Sequence, residues 1–199
     1  AIVFGEMASG ARIIEEEIAE RYEVSRSPVR DALRRLEADG LVVRIDHRGA
    51  RVTSVSRTDL DEVYLCRIEL ESLAAEQASK HWRPPADESF ARQLKAMRAA
   101  LDANDIRTYF VANVAFTDAV HRASGNATLE RLLKSIGKQA LRYRYLAYCS
   151  APTLMDMSIE GNREILDLIL ARKGAKARRI TGELIKRSWQ TIREIIPDE

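Results

Sequence analysis

The stretch that decides the fold is Val24-Ser25-Arg26-Ser27-Pro28-Val29-Arg30-Asp31-Ala32-Leu33-Arg34-Arg35-Leu36-Glu37. Its apolar residues Val29, Leu33 and Leu36 recur at spacings of three and four, which predicts a helix with one buried stripe. Pro28 suits the first turn because its missing N–H would have no partner there. Gly40 then follows as a typical helix-ending glycine. The stretch therefore predicts a helix that begins near its serines and ends before residue 40.

The remaining surface of this predicted helix carries four arginines, Arg26, Arg30, Arg34 and Arg35. A charged helix face is most often simply solvated. Arginine used without lysine, however, suits bidentate contacts to guanine or to phosphate. The arginines therefore leave two interpretations open, a solvated face and a nucleic-acid contact, and the flanking sequence has to decide between them.

Helical and β-like patterns flank the stretch. Upstream, Arg12–Glu23 has apolar residues at helical spacing, and a short turn over residues 22–24 joins it to the next helix. Downstream, Leu41–Arg44 and Ala50–Val55 are β-like runs joined by the polar turn Asp46-His47-Arg48-Gly49. Helix, turn, helix and β-hairpin is the order of a winged helix-turn-helix. We therefore predict that residues 1–56 form a winged helix-turn-helix DNA-binding domain.

From Thr58 onward the apolar residues keep a helical period. One helix is predicted to run to about His81, before Pro84-Pro85 break it. Further helical patterns cover residues 87–102, 105–123, 127–149, 158–172 and 175–195. Residues 57–199 are thus predicted to form an all-α domain of about six helices, large enough to enclose a pocket. The predicted fold is mainly α, with a small β-hairpin wing in the N-terminal domain.

The composition, 46% apolar and 31% charged over 199 residues, is typical of a globular protein. No apolar run approaches the ~20 residues that cross a bilayer, and no signal peptide opens the chain, so we expect no membrane partner and a cytoplasmic location. The net charge of +2 alone says nothing about nucleic acid, but the arginines of residues 1–55 cluster after an acidic segment, which favours a local basic patch. Cys66 and Cys149 form no CxxC pair, and we expect reduced thiols in the core.

The first half of the chain resembles a known family. The segment Val24–Val42 resembles the signature of the GntR family of bacterial repressors and activators, and the flanking Gly10–Ile13, Glu17–Arg21 and His47–Val52 fall where that family has them.

The resemblance implies roles for particular residues of the winged helix. It places the start of the recognition helix in the major groove and makes the hairpin turn the tip of the wing. We expect arginine contacts to base edges or phosphates and serine contacts to phosphates. The DNA-binding residues predicted in this way are Ser25, Arg26, Ser27, Arg30, Arg34, His47, Arg48 and Gly49. Glu16 departs from the family pattern, because the FadR type has a DNA-contacting arginine near this position.

The second half resembles the FadR-type C-terminal domain in Thr58–Glu71 and Phe116–Asn126. For residues 57–199, this resemblance implies an effector-binding and dimerisation domain, an all-α bundle that dimerises and binds a small organic acid in a central cavity. Many members hold a metal there through one Asp and three His. Here the corresponding positions are Asn113, Thr117 and Asn162, with a fourth near Glu183. Neutral amides and hydroxyls are poor substitutes for imidazole on a first-row metal, so we predict no metal site and no cofactor.

The effector-binding residues expected from the resemblance are Arg67, Asn113, Thr117 and Asn162, and Arg142 is added as a candidate from its place on a helix stripe. Arg67 lies on the mainly apolar side of its helix, and a buried guanidinium needs an anionic partner. That partner is either Glu71 or an effector carboxylate.

Two further sets of residues carry alternative interpretations. Arg142, Tyr145 and Cys149 share a helix stripe, for which core packing and ligand contact both remain open. Asp118 and His121, three residues apart, are interpreted as a surface ion pair rather than as ligands.

We therefore predict a non-enzymatic, sequence-specific transcriptional regulator. Its partners are expected to be double-stranded operator DNA, a second copy of the chain and a small carboxylate effector. Two other functions stay open: a DNA-binding dimer whose C-terminal domain is degenerate and senses nothing, and an architectural DNA-binding protein. An enzyme has little support, because the sequence has no nucleophile elbow, phosphate-binding loop, dinucleotide turn or metal triad.

Overall fold

The computed structural model describes residues 1–45, 49–83 and 86–196. The N-terminal part contains the strands β1 (Arg12–Ile13), β2 (Val42–Ile45) and β3 (Gly49–Val52) and the helices α1 (Glu15–Arg21) and α2 (Arg26–Ala38). The three strands form an antiparallel sheet in the order β1-β3-β2. This is the predicted winged helix-turn-helix.

The start of this region differs from the predicted helix over Arg12–Glu23. Arg12 and Ile13 pair with Arg51 and Ala50 of β3, and α1 begins only at Glu15. A strand of two residues is too short to show an alternating pattern, whereas the apolar pair Ile13-Ile14 fits a helix equally well. The hydrogen bonds to β3 decide the conformation here.

A small separate core holds the winged helix together. Val29 and Leu33 of α2 are buried, and Leu36 is half-buried, as their spacing predicts. They pack with Ile13, Ala19, Leu41, Val42, Ala50 and Val52. Because the apolar side of α2 is used in this core, its arginine-bearing side stays exposed.

The remaining described chain is helical: α3 (Arg57–His81), α4 (Ala86–Asp102), α5 (Ile106–Ala123), α6 (Ala127–Ser150), α7 (Thr153–Leu170) and α8 (Gly174–Ile195). These six helices confirm the predicted all-α half. The long helix α3 packs against α5, α6, α7 and α8. None of the described helices is long and apolar enough to cross a membrane.

Two local predictions about this half were wrong. The helix α7 begins at Thr153, not at 158, because the chain turns directly into the helix after Pro152. Cys66 and Cys149 are free thiols but are exposed rather than in the core. Each lies on a long helix whose buried stripe passes beside it.

Side chains of α6 contact the winged helix. The Lys138 ammonium lies 2.8 Å from an Asp39 carboxylate oxygen, just after α2 ends. Arg142 donates hydrogen bonds to the carbonyl and the hydroxyl of Thr53, at 2.7 and 2.9 Å, just after β3 ends. At the N-terminus, Phe4 packs edge-on against Phe110 of α5. The N-terminal part of the chain therefore contacts the helical half through an ion pair, hydrogen bonds and aromatic packing.

Candidate DNA-binding surface and effector cavity

The predicted DNA-contacting residues lie at the exposed start of α2. Ser25 is the N-cap residue, and its side chain makes no capping hydrogen bond. Arg26, Ser27 and Arg30 follow in the first turns, and all are exposed. Because the first N–H groups of a helix have no intrahelical partner, this end can donate hydrogen bonds to phosphate.

Two of these arginines are paired with acids of α1. A nitrogen of Arg26 lies 2.8 Å from a Glu16 carboxylate oxygen. Arg30 donates from Nε to Glu15 at 2.7 Å. All four side chains retain access to solvent, and such pairs are weak and easily exchanged for another anion. Arg34 is likewise exposed and contacts Asp31 at 3.4 Å.

The wing is only partly described. His47 and Arg48, predicted to form its tip, lie outside the described residues. Gly49 begins β3 with a backbone φ of +90°, and a Cβ there would lie 2.6 Å from the carbonyl oxygen of Ile13. Pairing of β1 with β3 thus requires glycine at this position, whether or not Gly49 also contacts DNA.

A cavity lies between the helices of the C-terminal half. Arg67, Asn113, Thr117 and Asn162, four of the five predicted effector residues, line it together. They come from α3, α5 and α7. The polar wall is completed by Glu71, His121, Arg144, Tyr148, Ser158 and Thr181. The apolar wall includes Phe116, Val120, Leu154, Met157, Ile165 and Ile185.

Arg67 is paired inside the protein. Its Nε donates to Glu71 at 2.7 Å, and both side chains are buried. Burial disfavours the Glu71 carboxylate, but the charge and hydrogen bond of Arg67, together with smaller contributions from His121 and Arg144, hold the pKa of Glu71 below its ordinary value. Of the two partners that the sequence left open for Arg67, the structure thus contains Glu71. A contact between Arg67 and an effector stays a prediction.

Arg144 is a cavity residue that the sequence analysis missed. Its guanidinium donates to the amide oxygen of Asn113 at 2.5 Å and to the hydroxyl of Thr117 at 3.4 Å. Asn113 in turn donates to the Ser158 hydroxyl at 2.9 Å. Its spacing in the sequence could have identified it, because Arg144 lies three or four residues from Ala140, Ala147 and Tyr148, which share the buried face of the helix.

Arg142 does not line this cavity, contrary to the expectation that it binds the effector there. It is two residues from Arg144, about 200° around the helix, and points to Thr53 of the winged helix. Tyr145, on its stripe, packs against Phe4 and Phe110. Of the two interpretations of that stripe, core packing describes Tyr145, whereas Arg142 makes a contact to the winged helix that neither interpretation predicted.

His121 was placed wrongly on the surface. It is buried and lines the cavity, with Nδ1 4.0 Å from Asp118 and Nε2 3.9 Å from Glu71. Burial lowers its pKa below the ordinary value, which favours the neutral ring. Asn113, Thr117 and His121 follow at intervals of four, so extending that spacing by one step would have identified it.

Three polar atoms of the cavity wall have no hydrogen-bond partner among the described residues. They are Nε2 of His121, Nδ2 of Asn162 and Oγ1 of Thr181. Buried polar atoms are nearly always hydrogen-bonded, so three unpartnered polar atoms in the wall of one cavity are unusual. The arrangement can receive a ligand that supplies hydrogen-bonding atoms.

The same residues do not fit the metal that many FadR-type domains hold. Asn113, Thr117 and Asn162 offer neutral amide and hydroxyl groups, and a guanidinium hydrogen-bonds to the oxygens of Asn113 and Thr117. Its positive charge would repel a cation at these oxygens. Glu183, near the fourth family position, pairs instead with Arg179 at the surface.

Comparison with known proteins agrees with the two-part fold, a winged helix-turn-helix followed by a helical domain. The family described as bacterial regulatory proteins, gntR family, matches residues 1–52, and the FCD domain matches residues 62–187. The solved structure of E. coli McbR/YncC has the same fold, with a TM-score of 0.87 over 98% of this chain and 92% of that chain, at 22% identity.

Two curated relatives align over most of the chain. The "Probable D-xylose utilization operon transcriptional repressor" of Paenarthrobacter nicotinovorans is 32% identical over 85% of this chain and 74% of the relative. An uncharacterised regulator, BphR of Paraburkholderia xenovorans (strain LB400), is 30% identical over 97% of this chain and 81% of the relative. The chain therefore belongs to the gntR family of bacterial regulatory proteins, as a transcriptional regulator with an FCD domain in its C-terminal half.

Proposed function

We propose that this chain is a cytoplasmic, homodimeric repressor that binds operator DNA through α2 and changes its affinity when a small organic acid enters the cavity. Two copies would present two α2 helices about one turn of DNA apart, roughly 34 Å, on a palindromic site. The exposed start of α2 supports the DNA contact. The name of the P. nicotinovorans relative, an operon repressor, supports repression.

The observation that carries this proposal is the double role of α6. Toward the cavity, this helix presents Arg144 and Tyr148. Toward the winged helix, it presents Lys138, bound to Asp39, and Arg142, bound to Thr53. Asp39 directly follows the recognition helix. One helix thus connects the cavity wall to the end of the element expected to contact DNA.

Packing next to this ion pair is also tight. A Cβ on Gly40 would lie 3.3 Å from the side chain of Gln139 on α6. A small shift of α6 therefore changes contacts at the end of α2. To regulate DNA binding, the effector has to favour one arrangement by about 1–3 kcal/mol, or about 5- to 150-fold in affinity.

DNA binding is tested by selecting fragments from the source genome and measuring their affinity by fluorescence anisotropy. Arg26→Ala should weaken specific binding about 10- to 100-fold, as expected for the loss of one base contact. Arg131→Ala, an exposed arginine of α6, is the control and should bind as the unchanged chain does. Affinity should also fall steeply with salt if phosphate contacts are made. An unchanged affinity of Arg26→Ala would contradict the assigned surface.

Coupling through α6 is tested with the double variant Lys138→Gln/Arg142→Gln. It should retain acid binding and operator binding but lose most of the change in operator affinity that an acid causes. The control is Lys134→Gln/Arg131→Gln, which removes the same charges from an exposed part of α6. A full response in the first variant would exclude α6 contacts as the connection.

A second function, a DNA-binding dimer with a non-sensing C-terminal domain, is favoured by one observation. Arg67 already has an internal partner in Glu71, so the cavity does not need a ligand to neutralise this residue. The two functions differ in a screen of short monocarboxylic and dicarboxylic acids for release of operator DNA. Release by none of them, together with no thermal stabilisation, would favour the non-sensing dimer.

A further inference from the structure

The charges around the cavity do not balance. Two buried guanidiniums, Arg67 and Arg144, face one buried carboxylate, Glu71. Glu71 is in direct contact with Arg67, at 2.7 Å. Arg144 hydrogen-bonds to the neutral Asn113 and Thr117 and forms no ion pair with a described carboxylate. His121 adds no negative charge. The described cavity wall therefore carries one excess positive charge.

An uncompensated buried charge is costly, because it loses its hydration without gaining a counter-ion. Such a group lowers the stability of the folded protein, and groups of this kind are common at binding sites. The position of Arg144 is informative here. Its guanidinium contacts the side chains of Asn113 and Thr117, two positions at which the family resemblance implies metal ligands.

We infer that Arg144 takes the place of the family's metal as the positive centre of the cavity, and that the ligand is a small monocarboxylate whose carboxylate pairs with Arg144. This inference rests on the proposed function and names the chemical class of its effector. A planar guanidinium binds a carboxylate through two parallel hydrogen bonds, which a neutral ligand cannot match.

The other residues of the cavity wall indicate the chemistry of the part of the ligand that lies away from its carboxylate. Nε2 of His121, Nδ2 of Asn162 and Oγ1 of Thr181 lack partners and can bind an oxygen of the ligand. Phe116, Val120, Leu154 and Ile165 supply apolar surface for a short carbon chain. The excess of one positive charge matches one carboxylate rather than two.

The size of the cavity sets an upper limit on the ligand. Its volume is about 70 Å³. Since one water-sized group needs roughly 10–15 Å³ of such space, about five to seven fit. This suits acids such as pyruvate, lactate or butyrate, whereas a long acyl chain would extend beyond this volume.

The test is thermal unfolding and titration calorimetry on the full chain with pyruvate, lactate, butyrate, octanoate or inorganic phosphate at equal concentration. At least one of the three short acids should raise the melting temperature and bind stoichiometrically, since a ligand of the folded state stabilises it. Octanoate and phosphate should give no such effect. Equal stabilisation by phosphate would overturn the carboxylate assignment, and stabilisation by octanoate alone would overturn the size limit.

Arg144→Gln tests the anchor, because glutamine still donates to Asn113 but carries no charge. The affinity for the short acid should fall at least about tenfold. Without ligand, the variant should melt no lower than the unchanged chain, because an uncompensated charge has been removed. Arg131→Gln on the same helix should bind normally. Unchanged acid binding in Arg144→Gln would overturn the inference.

Two further measurements separate the possible failures. Arg144→Lys keeps the charge but not the planar geometry, so its affinity for the short acid should lie between those of the unchanged chain and of Arg144→Gln. If Arg144→Gln fails to fold, an unchanged affinity in Arg144→Lys overturns the role of the guanidinium. One equivalent of bound metal by elemental analysis would also overturn the inference. Operator release by dicarboxylic acids but by none of the monocarboxylic acids would overturn this inference and leave the proposed function standing. Stoichiometric binding of a short acid without any operator binding would instead contradict the proposed function and leave the role of Arg144 standing.

Discussion

The arginines of the candidate DNA-binding surface and those of the cavity have opposite surroundings. Arg26 and Arg30 are exposed, and each has an acid of α1 as its partner. Arg67 and Arg144 are buried and have one carboxylate between them. At the surface, water and ions make a pair easy to break, so DNA phosphates can replace the acids. In the interior, a missing partner is costly, so the cavity favours an anionic ligand.

The largest expected effect comes from breaking the buried pair. Glu71→Gln leaves Arg67 and Arg144 without a carboxylate, and the free energy of unfolding should fall by on the order of 3–5 kcal/mol. Urea denaturation of the full chain measures this. Glu16→Gln, which breaks the exposed pair with Arg26, is the matched control and should leave the melting temperature nearly unchanged. Equal effects of the two substitutions would remove the distinction between the two regions.

The pair of Arg67 and Glu71 also predicts that the free energy of unfolding depends on pH. The pKa of Glu71 is held below its ordinary value of 4.5, mainly by Arg67, against the opposing effect of burial. Its contribution to stability should therefore be complete above the ordinary value and be lost as pH falls through the lowered pKa. The difference in unfolding free energy between the unchanged chain and Glu71→Gln should shrink below pH 4.5. A difference that stays constant in acid would contradict this role of Glu71.

An intermediate effect is expected when the cavity is given a second carboxylate. Asn113→Asp has nearly the same shape and places a negative charge beside Arg144. It should weaken short-acid binding at least about tenfold and raise the melting temperature of the ligand-free chain, because it supplies the missing counter-ion. Calorimetry and thermal unfolding measure the two effects. Asn126→Asp, at the N-cap of α6, keeps a capping side chain outside the cavity and serves as the control.

The smallest effect should follow from freeing the surface arginines. Glu15→Gln/Glu16→Gln removes two acids that hold Arg30 and Arg26 and that repel phosphate. Operator affinity should rise by less than about fivefold, since exposed pairs contribute little. Glu20→Gln/Glu17→Gln removes two other acids of α1 and is the control. A loss of affinity would mean that Glu15 and Glu16 orient the arginines for base contact rather than compete with DNA.

How much of the site followed from the sequence depended on which residues carried a recognisable pattern. Arg67, Asn113, Thr117 and Asn162 were all placed in the cavity, since the resemblance aligned them. Arg142 was not, because two residues on a helix separate opposite faces and no aligned residue distinguished it from Arg144. The burial of His121 was not predicted, because a spacing of three residues between an Asp and a His occurs on exposed and on buried helix faces alike.

The amino-acid sequence by itself determined the helical periods, the helix-turn-helix and the family, because these depend on spacings within one segment. It also determined the loss of the family's imidazoles. Only the tertiary structure decided which charges meet. The pairing of Arg67 with Glu71, the contact of Arg144 with Asn113 and the joining of Lys138 to Asp39 depend on how helices pack. Side chains far apart in sequence acquire partners only there, and it is the partner that makes an arginine a structural, DNA-contacting or ligand-binding residue.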